Sequence, residues 1–179
     1  TGNYLWMAGP PALGTLNSGT SGDHTSGTGG YAVAEGWNAS GTFRTVTHLI
    51  TPPIDLSNDT TPRLQFYYHM YGSDIDLLDV RVRKLGTTAW TQIHTINSTT
   101  AASQFTSQNS AWRKHVESLS QWAGDTIQIR FSAKRNTSFS WWTQSRVAID
   151  DITVEETPSC DQPLNITTSS LVSTSVQLN

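Results

Sequence analysis

Apolar and polar positions alternate most clearly in residues 64–85. Leu64, Phe66, Tyr68 and Met70 are interleaved with Gln65, Tyr67, His69 and Tyr71, the period of two that sends successive side chains to opposite faces of a sheet. Gly72 opens a loop holding Asp74 and Asp76, and a second alternation sets Val80 and Val82 against Asp79, Arg81 and Arg83. This stretch therefore reads as two strands with one apolar face. The other face carries tyrosines, a histidine and two arginines. Residues 125–134 repeat the pattern, with Ile127, Ile129 and Phe131 facing in and Gln128, Arg130, Ser132 and Lys134 facing out.

Shorter strands are expected over residues 31–35, 43–50, 90–96, 112–119 and 146–154, with Trp90, Ile93 or His94, and Ile96 as inward positions in the third of these. Residues 1–30 read as loop, as do the polar residues 97–110. Pro52 and Pro53 stop the strand before them, because proline has no N–H for a ladder. Eight or nine short strands, regular turns and no convincing helix predict an all-β chain, an antiparallel sandwich of two packed sheets. The pattern does not fix strand order. Thr157-Pro158-Ser159 reads as a linker, and the apolar spacing changes beyond it, so residues 1–157 are expected to form one domain and residues 158–179 a linker with the start of another module.

Composition narrows the function. Charged residues make up 14% of the 179 residues and the net charge is −3, which gives no support for nucleic acid as a partner. No apolar run approaches the roughly 20 residues of a membrane span. No basic segment followed by an apolar one marks a secretory leader, which is expected to have been removed or to lie outside this sequence. A single cysteine, Cys160, excludes an internal disulfide. The Thr/Ser/Asn-rich, nearly Cys-free composition is similar to that of secreted bacterial β-modules, so the chain is expected outside the cell or on its surface. Five sequons, at Asn38, Asn58, Asn97, Asn136 and Asn165, arise readily by chance in such a composition.

Catalytic signatures are lacking. The five histidines (24, 48, 69, 94 and 115) show no HExxH or paired spacing, and there is no G-x-S-x-G. Asp150 and Asp151 are adjacent, so their side chains point to opposite faces unless a bulge intervenes. Binding is better represented. Tyr67, His69 and Tyr71, with Arg81, Arg83 and Arg130 and with Gln128 and Lys134 beside them, are candidates for one concave face. Aromatic rings stack on sugar rings, and guanidinium forks take carboxylate or sulfate groups bidentately. The competing reading buries the tyrosines and the histidine beneath a crossing loop, as packing. Trp141 and Trp142 are either ligand contacts or, with Phe139, a plug over an open end of the core.

Several of these residues fall into motifs that resemble the MAM domain. In order they are Trp6, the run from Thr20 through Ser21, Gly22, Asp23 and His24 to Thr25, then Gly30-Tyr31, Leu49-Ile50-Thr51-Pro52, residues 64–73 (LQFYYHMYGS), Trp112 with Val116 and Leu119, and residues 148–152 (AIDDI). The resemblance covers residues 3–156. It departs from the animal pattern in having no cysteine there, in Asp76 where glycine is usual, and in the tryptophans before AIDDI. The missing cysteines and a tail like the opening of a fibronectin type III module resemble the bacterial branch. The resemblance implies a jelly-roll-like sandwich of binding or adhesion type without catalysis. It also implies that Asp23 with Asp150 or Asp151 would suit a structural calcium tying the first loop to the last strand. The alternative is that Asp23 caps its own turn and the Asp pair is a local hydrogen-bonding device. The sequence thus predicts a non-catalytic carbohydrate-binding module of a secreted multimodular protein. Its partners would be neighbouring domains and a polysaccharide, sulfated or uronate-containing, to which it directs an attached enzyme. A protein-interaction or adhesion module is the alternative.

Overall fold

The strong alternations become the long strands of two facing sheets. The computed structural model describes residues 3–9, 18–37, 45–136 and 145–158. Among them are β1 (Asn3–Gly9), β2 (Tyr31–Trp37), β3 (Val46–Ile50), β4 (Ile54–Asp55), β5 (Pro62–His69), β6 (Ile75–Lys84) and β7 (Thr91–Asn97). A short helix α1 (Ser98–Gln104) follows, then β8 (Arg113–Ser118), a 3-10 turn at Ser120–Trp122, β9 (Thr126–Arg135) and β10 (Arg146–Glu156). One sheet runs β1-β2-β10-β5-β8 and the other β3-β9-β6-β7, with β4 also pairing β9; all pairings are antiparallel. The chain crosses between the sheets after β2, after β4, after β5, after β7, after β8 and after β9, which is the jelly-roll arrangement of an antiparallel sandwich.

The core lies between the sheets. Leu64, Phe66 and Tyr68 of β5 meet Leu78, Val80 and Val82 of β6 and Ile127, Ile129 and Phe131 of β9. Phe66 and Phe131 pack edge to face at 5.2 Å between ring centroids, the arrangement that aligns a ring's positive edge with the negative face of its neighbour.

Two segments read as loop are ordered elements. In β1, Tyr4 is buried while Leu5 and Met7 lie exposed on the other side. With apolar residues on both faces, no alternation was visible. Helix α1 forms because the Asn97 side chain accepts from the Thr100 N–H at 2.9 Å, a helix N-cap, while Ala101 is buried and receives the closing bond from Phe105. Trp141 and Trp142 lie outside the described residues, as do Phe139, Phe43 and residues 159–179.

Candidate functional site

β5 and β6 do not form a hairpin. The Gly72 loop carries the chain from one sheet to the other, so Tyr67 and His69 sit on the outer face of the β10-β5-β8 sheet, whereas Arg81, Arg83 and Arg130 sit on the outer face of the opposite sheet. The single concave surface expected for these residues is therefore two surfaces, and they differ in character.

The first is covered. Residues 18–30 and 105–112 cross it, held by bonds such as Ser21 N–H to Gln108 O at 3.1 Å and Gln108 Nε2 to Ser18 O at 2.9 Å. Beneath them Tyr31, Val33 and Ala148 form a small apolar cluster with Trp112. His69 is wholly buried, its ring 4.6 Å from Phe105 and 5.8 Å from Trp112. Burial pushes its pKa down to about 4, against a smaller upward pull from the backbone of Ser110. Neither ring nitrogen makes a hydrogen bond of ordinary geometry. Tyr67 is covered by the His24 ring, stacked at 3.4 Å. Tyr71 leaves the strand and packs against the core, with its carbonyl accepting from Gly19 N–H at 2.7 Å. Gly19 is required there: its φ is +79°, and a Cβ would stand 2.8 Å from Arg146 Cδ. Beneath the crossing loop Tyr67 and His69 thus serve packing on this face, whereas the half-buried Tyr71 borders a small pocket beside Met70 and Phe105.

The loop is fastened by the carboxylates expected to hold a cation. Asp23 caps its own turn, accepting from Ser26 N–H at 2.9 Å, Gly29 N–H at 2.7 Å and the Ser26 hydroxyl. The Ser26 and Gly29 amides hold its carboxyl below the ordinary range against the opposing effect of desolvation. β10 bulges between Asp150 and Thr153, which lets both adjacent aspartates reach the same loop. Asp150 Oδ2 accepts from His24 N–H at 2.9 Å, and Asp151 Oδ2 meets His24 Nδ1 and the Thr25 hydroxyl, each at 2.7 Å. Those two contacts, Thr25 first, lower the Asp151 pKa. These carboxylate oxygens are turned to N–H and O–H donors, and Asp23, Asp150 and Asp151 do not converge as a ligand group. Among the described residues the one convergent set of His and carboxylate groups is His94, His115 and Glu117.

The second surface is open and basic. Arg81 and Arg130 are register partners on β6 and β9, as are Arg83 and Gln128. Trp90, expected to face in, lies just before β7 on this outer side. The guanidinium carbons of Arg83 and Arg130 stand 4.6 and 4.5 Å from its ring centroid, within the range of a cation–π contact. Asp79 takes Arg81 Nε at 2.6 Å and the Thr95 hydroxyl at 3.0 Å. Lys134 pairs with Asp76 at 2.7 Å, so Asp76 is a bridging group of this face. Arg83 donates to Gln128 Oε1 at 2.7 Å. No carboxylate among the described residues pairs with Arg130, whose Nε is buried without a partner. Burial and then Arg81 pull the Arg130 pKa below its ordinary value, with Arg83 adding to this and Asp79 opposing it. A groove of about 460 Å³ opens here, lined by residues including His48, Arg81, Gln92, Thr95, Arg130 and Ser132.

A family model for the MAM domain, meprin/A5/mu, matches residues 3–161. The chain is 32% identical over 152 residues to "Thyroid hormone-induced protein B" of Xenopus laevis, covering 82% of this chain and 19% of that protein. It is 26% identical over 161 residues to "MAM domain-containing protein 2" of Mus musculus, covering 86% of this chain and 20% of the relative. It therefore spans about a fifth of these relatives' length. In structure it resembles the K1 cleaved adhesin domain of Lys-gingipain from Porphyromonas gingivalis W83, with a TM-score of 0.51 and 17% identity over 86% of this chain and 91% of that one. The K2 domain of the same protein gives 0.50 and 20% over 86% and 83%. At these identities the likeness is one of fold.

Proposed function

Because this chain belongs to the MAM domain family, meprin/A5/mu, we propose that it is a non-catalytic recognition module whose outer β3-β9-β6-β7 face binds an anionic polysaccharide. One observation carries the reading: Arg83 and Arg130 rest against Trp90, with Arg81 beside them, on a protein whose net charge is −3. Arginines seated on an aromatic ring lose little further freedom on binding. Their planar forks take sulfate or carboxylate groups through charge-assisted bonds. In this reading Trp90 positions the guanidiniums instead of stacking on sugar. The groove beside them offers the Gln92, Thr95 and Ser132 side chains for hydroxyls. A secreted module of this kind would hold an attached enzyme or cell-surface protein on its polymer.

Affinity electrophoresis through gels containing a sulfated galactan or a polyuronate tests this. The chain should be retarded in at least one, and Arg81→Ala with Arg130→Ala should abolish the shift. Retardation should also weaken as salt rises. Equal migration of parent and double variant in every polymer would overturn the proposal. A second reading, adhesion to another protein, draws on Leu5 and Met7, which are 43% and 45% exposed on edge strand β1. An exposed strand edge with apolar side chains pairs readily with another chain. It predicts concentration-dependent self-association that Met7→Lys removes, measured by analytical ultracentrifugation.

A further inference from the structure

The two sheets meet along one side of the sandwich at edge strands β7 and β8. Strand alternation fixes which side chains face inward there. His94 is registered against Val80, His115 against Phe66 and Glu117 against Leu64, and all three of those partners are fully buried core residues. An ordinary sandwich would place apolar side chains at such positions. Here two imidazoles and a carboxylate turn toward one another from opposite sheets.

Their donor atoms are spaced closely enough for a ligand set. His115 Nε2 lies 3.1 Å from Glu117 Oε2, and His94 Nδ1 lies 3.9 Å from the same oxygen. All three side chains offer a donor atom within 4.8 Å of the other two. A tetrahedral zinc ion with N and O ligands at 2.0–2.2 Å separates its ligand atoms by about 3.4 Å, and the two measured separations bracket that value. The imidazole rings stack at 3.6 Å with their planes 26° apart, so side-chain rotation is needed to point both lone pairs at one centre. The side chains are 17–30% exposed, partly shielded but reachable by an ion.

We infer that His94, His115 and Glu117 form a site for a divalent transition-metal ion of the zinc class, which clasps β7 of one sheet to β8 of the other. The donor set decides the metal. Two imidazoles and one carboxylate suit zinc, cobalt, nickel or copper, whereas calcium and magnesium take oxygen ligands. Three protein ligands leave a fourth position for water. The site lies away from the arginine face and stands or falls independently of polysaccharide binding.

The test uses the full chain stripped with EDTA and dialysed. Isothermal titration with zinc chloride should show one ion per chain, and saturating zinc should raise the melting temperature. Cobalt(II) should give a visible ligand-field spectrum that zinc quenches. His94→Gln and Glu117→Gln should each weaken zinc at least tenfold while melting near the parent in EDTA, whereas Glu155→Gln, on β10, should bind as the parent does. In the unaltered chain, zinc should shift the imidazole ¹⁵N resonances of His94 and His115, a readout that needs no variant. Undiminished zinc binding in either ligand variant, equal response to calcium, or unmoved His94 and His115 resonances would overturn the site.

Discussion

Asp151 holds His24 across the covered face of the β10-β5-β8 sheet: its Oδ2 lies 2.7 Å from His24 Nδ1, reached from a backbone position with φ at +47°. That conformation is uncommon for a residue other than glycine, though aspartate and asparagine tolerate it best. The bulge that imposes it turns Asp151 to the same loop as Asp150, and the His24 ring thus fastened covers Tyr67. The carboxylate–imidazole contact, the Thr25 hydroxyl bond and the stack on Tyr67 act together.

Asp151→Ala should therefore loosen the loop without unfolding the sandwich. Loss of the two bonds is worth about 1–2 kcal/mol, with the contribution damped because Asp151 is exposed. Asp151→Asn keeps the tolerated backbone and one acceptor, so it should cost less. Urea unfolding ranks the variants, and proteolysis between residues 18 and 30 reports the loop. Equal stability of the parent and the Ala variant, with no added cleavage, would show that the fastening does nothing.

How far these features could be read in advance follows from what periodicity encodes. It reports which residues share a face of a strand, so the apolar faces of β5, β6 and β9 and the common parity of Arg81, Arg83 and Arg130 were visible. It does not report which sheet a strand joins. Periodicity alone therefore groups Tyr67 with Arg81, although the Gly72 loop places their strands in different sheets. The Asp150-Asp151 pair depended on a bulge that no spacing rule shows. His94 and His115 are separated by α1 and a loop, and only the meeting of two sheet edges brings their rings together. Trp90 belongs to the segment entering β7, where alternation has not begun, and so its outward side was not evident.

The buried His69 should make the fold sensitive to mild acid. In the unfolded chain its imidazole titrates near 6.5, whereas in the folded chain burial holds it down to about 4. Above pH 6.5 both states are neutral and the group adds no pH dependence. Between pH 6.5 and about 4 the unfolded chain takes up a proton that the folded chain refuses, so stability falls as pH falls. The full difference is about 3 kcal/mol. His69→Leu should remove this slope while staying within about 1 kcal/mol of the parent at pH 7, since it also removes two ring nitrogens that lack good partners. Urea midpoints measured at half-unit pH steps decide it: an unchanged difference between pH 7 and pH 4.5 in the variant would assign the acid sensitivity elsewhere.

Phe105 closes the end of the covered face. It is buried, packs edge to face on Tyr68 at 5.7 Å and lies 4.6 Å from the His69 ring, and its N–H ends α1 on the Ala101 carbonyl. Phe105→Ala leaves a void lined by rings that cannot collapse, costing about 3–5 kcal/mol. It should also expose His69 and bring its pKa back toward 6.5. Calorimetry measures the first effect, and histidine NMR titration the second. A loss below about 1 kcal/mol with an unmoved His69 titration would mean that α1 does not seal this end.

Arg130 places recognition and stability in opposition. Its guanidinium shares one face with Arg81 and Arg83, its Nε is buried without a partner, and the carboxylate whose charge acts on it, Asp79, is already committed to Arg81 and Thr95. Like charges gathered in this way destabilise the folded state, most of all at low ionic strength. Arg130→Met keeps an unbranched chain against Trp90 and removes the charge and the unpaired donor. It should raise stability by about 1 kcal/mol in low salt, an advantage that shrinks in 1 M sodium chloride. The same change deletes one charge-assisted fork, worth about 1.5–3 kcal/mol, and should weaken binding of a sulfated galactan by at least tenfold. Denaturant unfolding at two salt concentrations and affinity electrophoresis together settle the point. A variant less stable at both salts, with binding intact, would make Arg130 a packing residue held for Trp90's sake and would move the ligand away from this face.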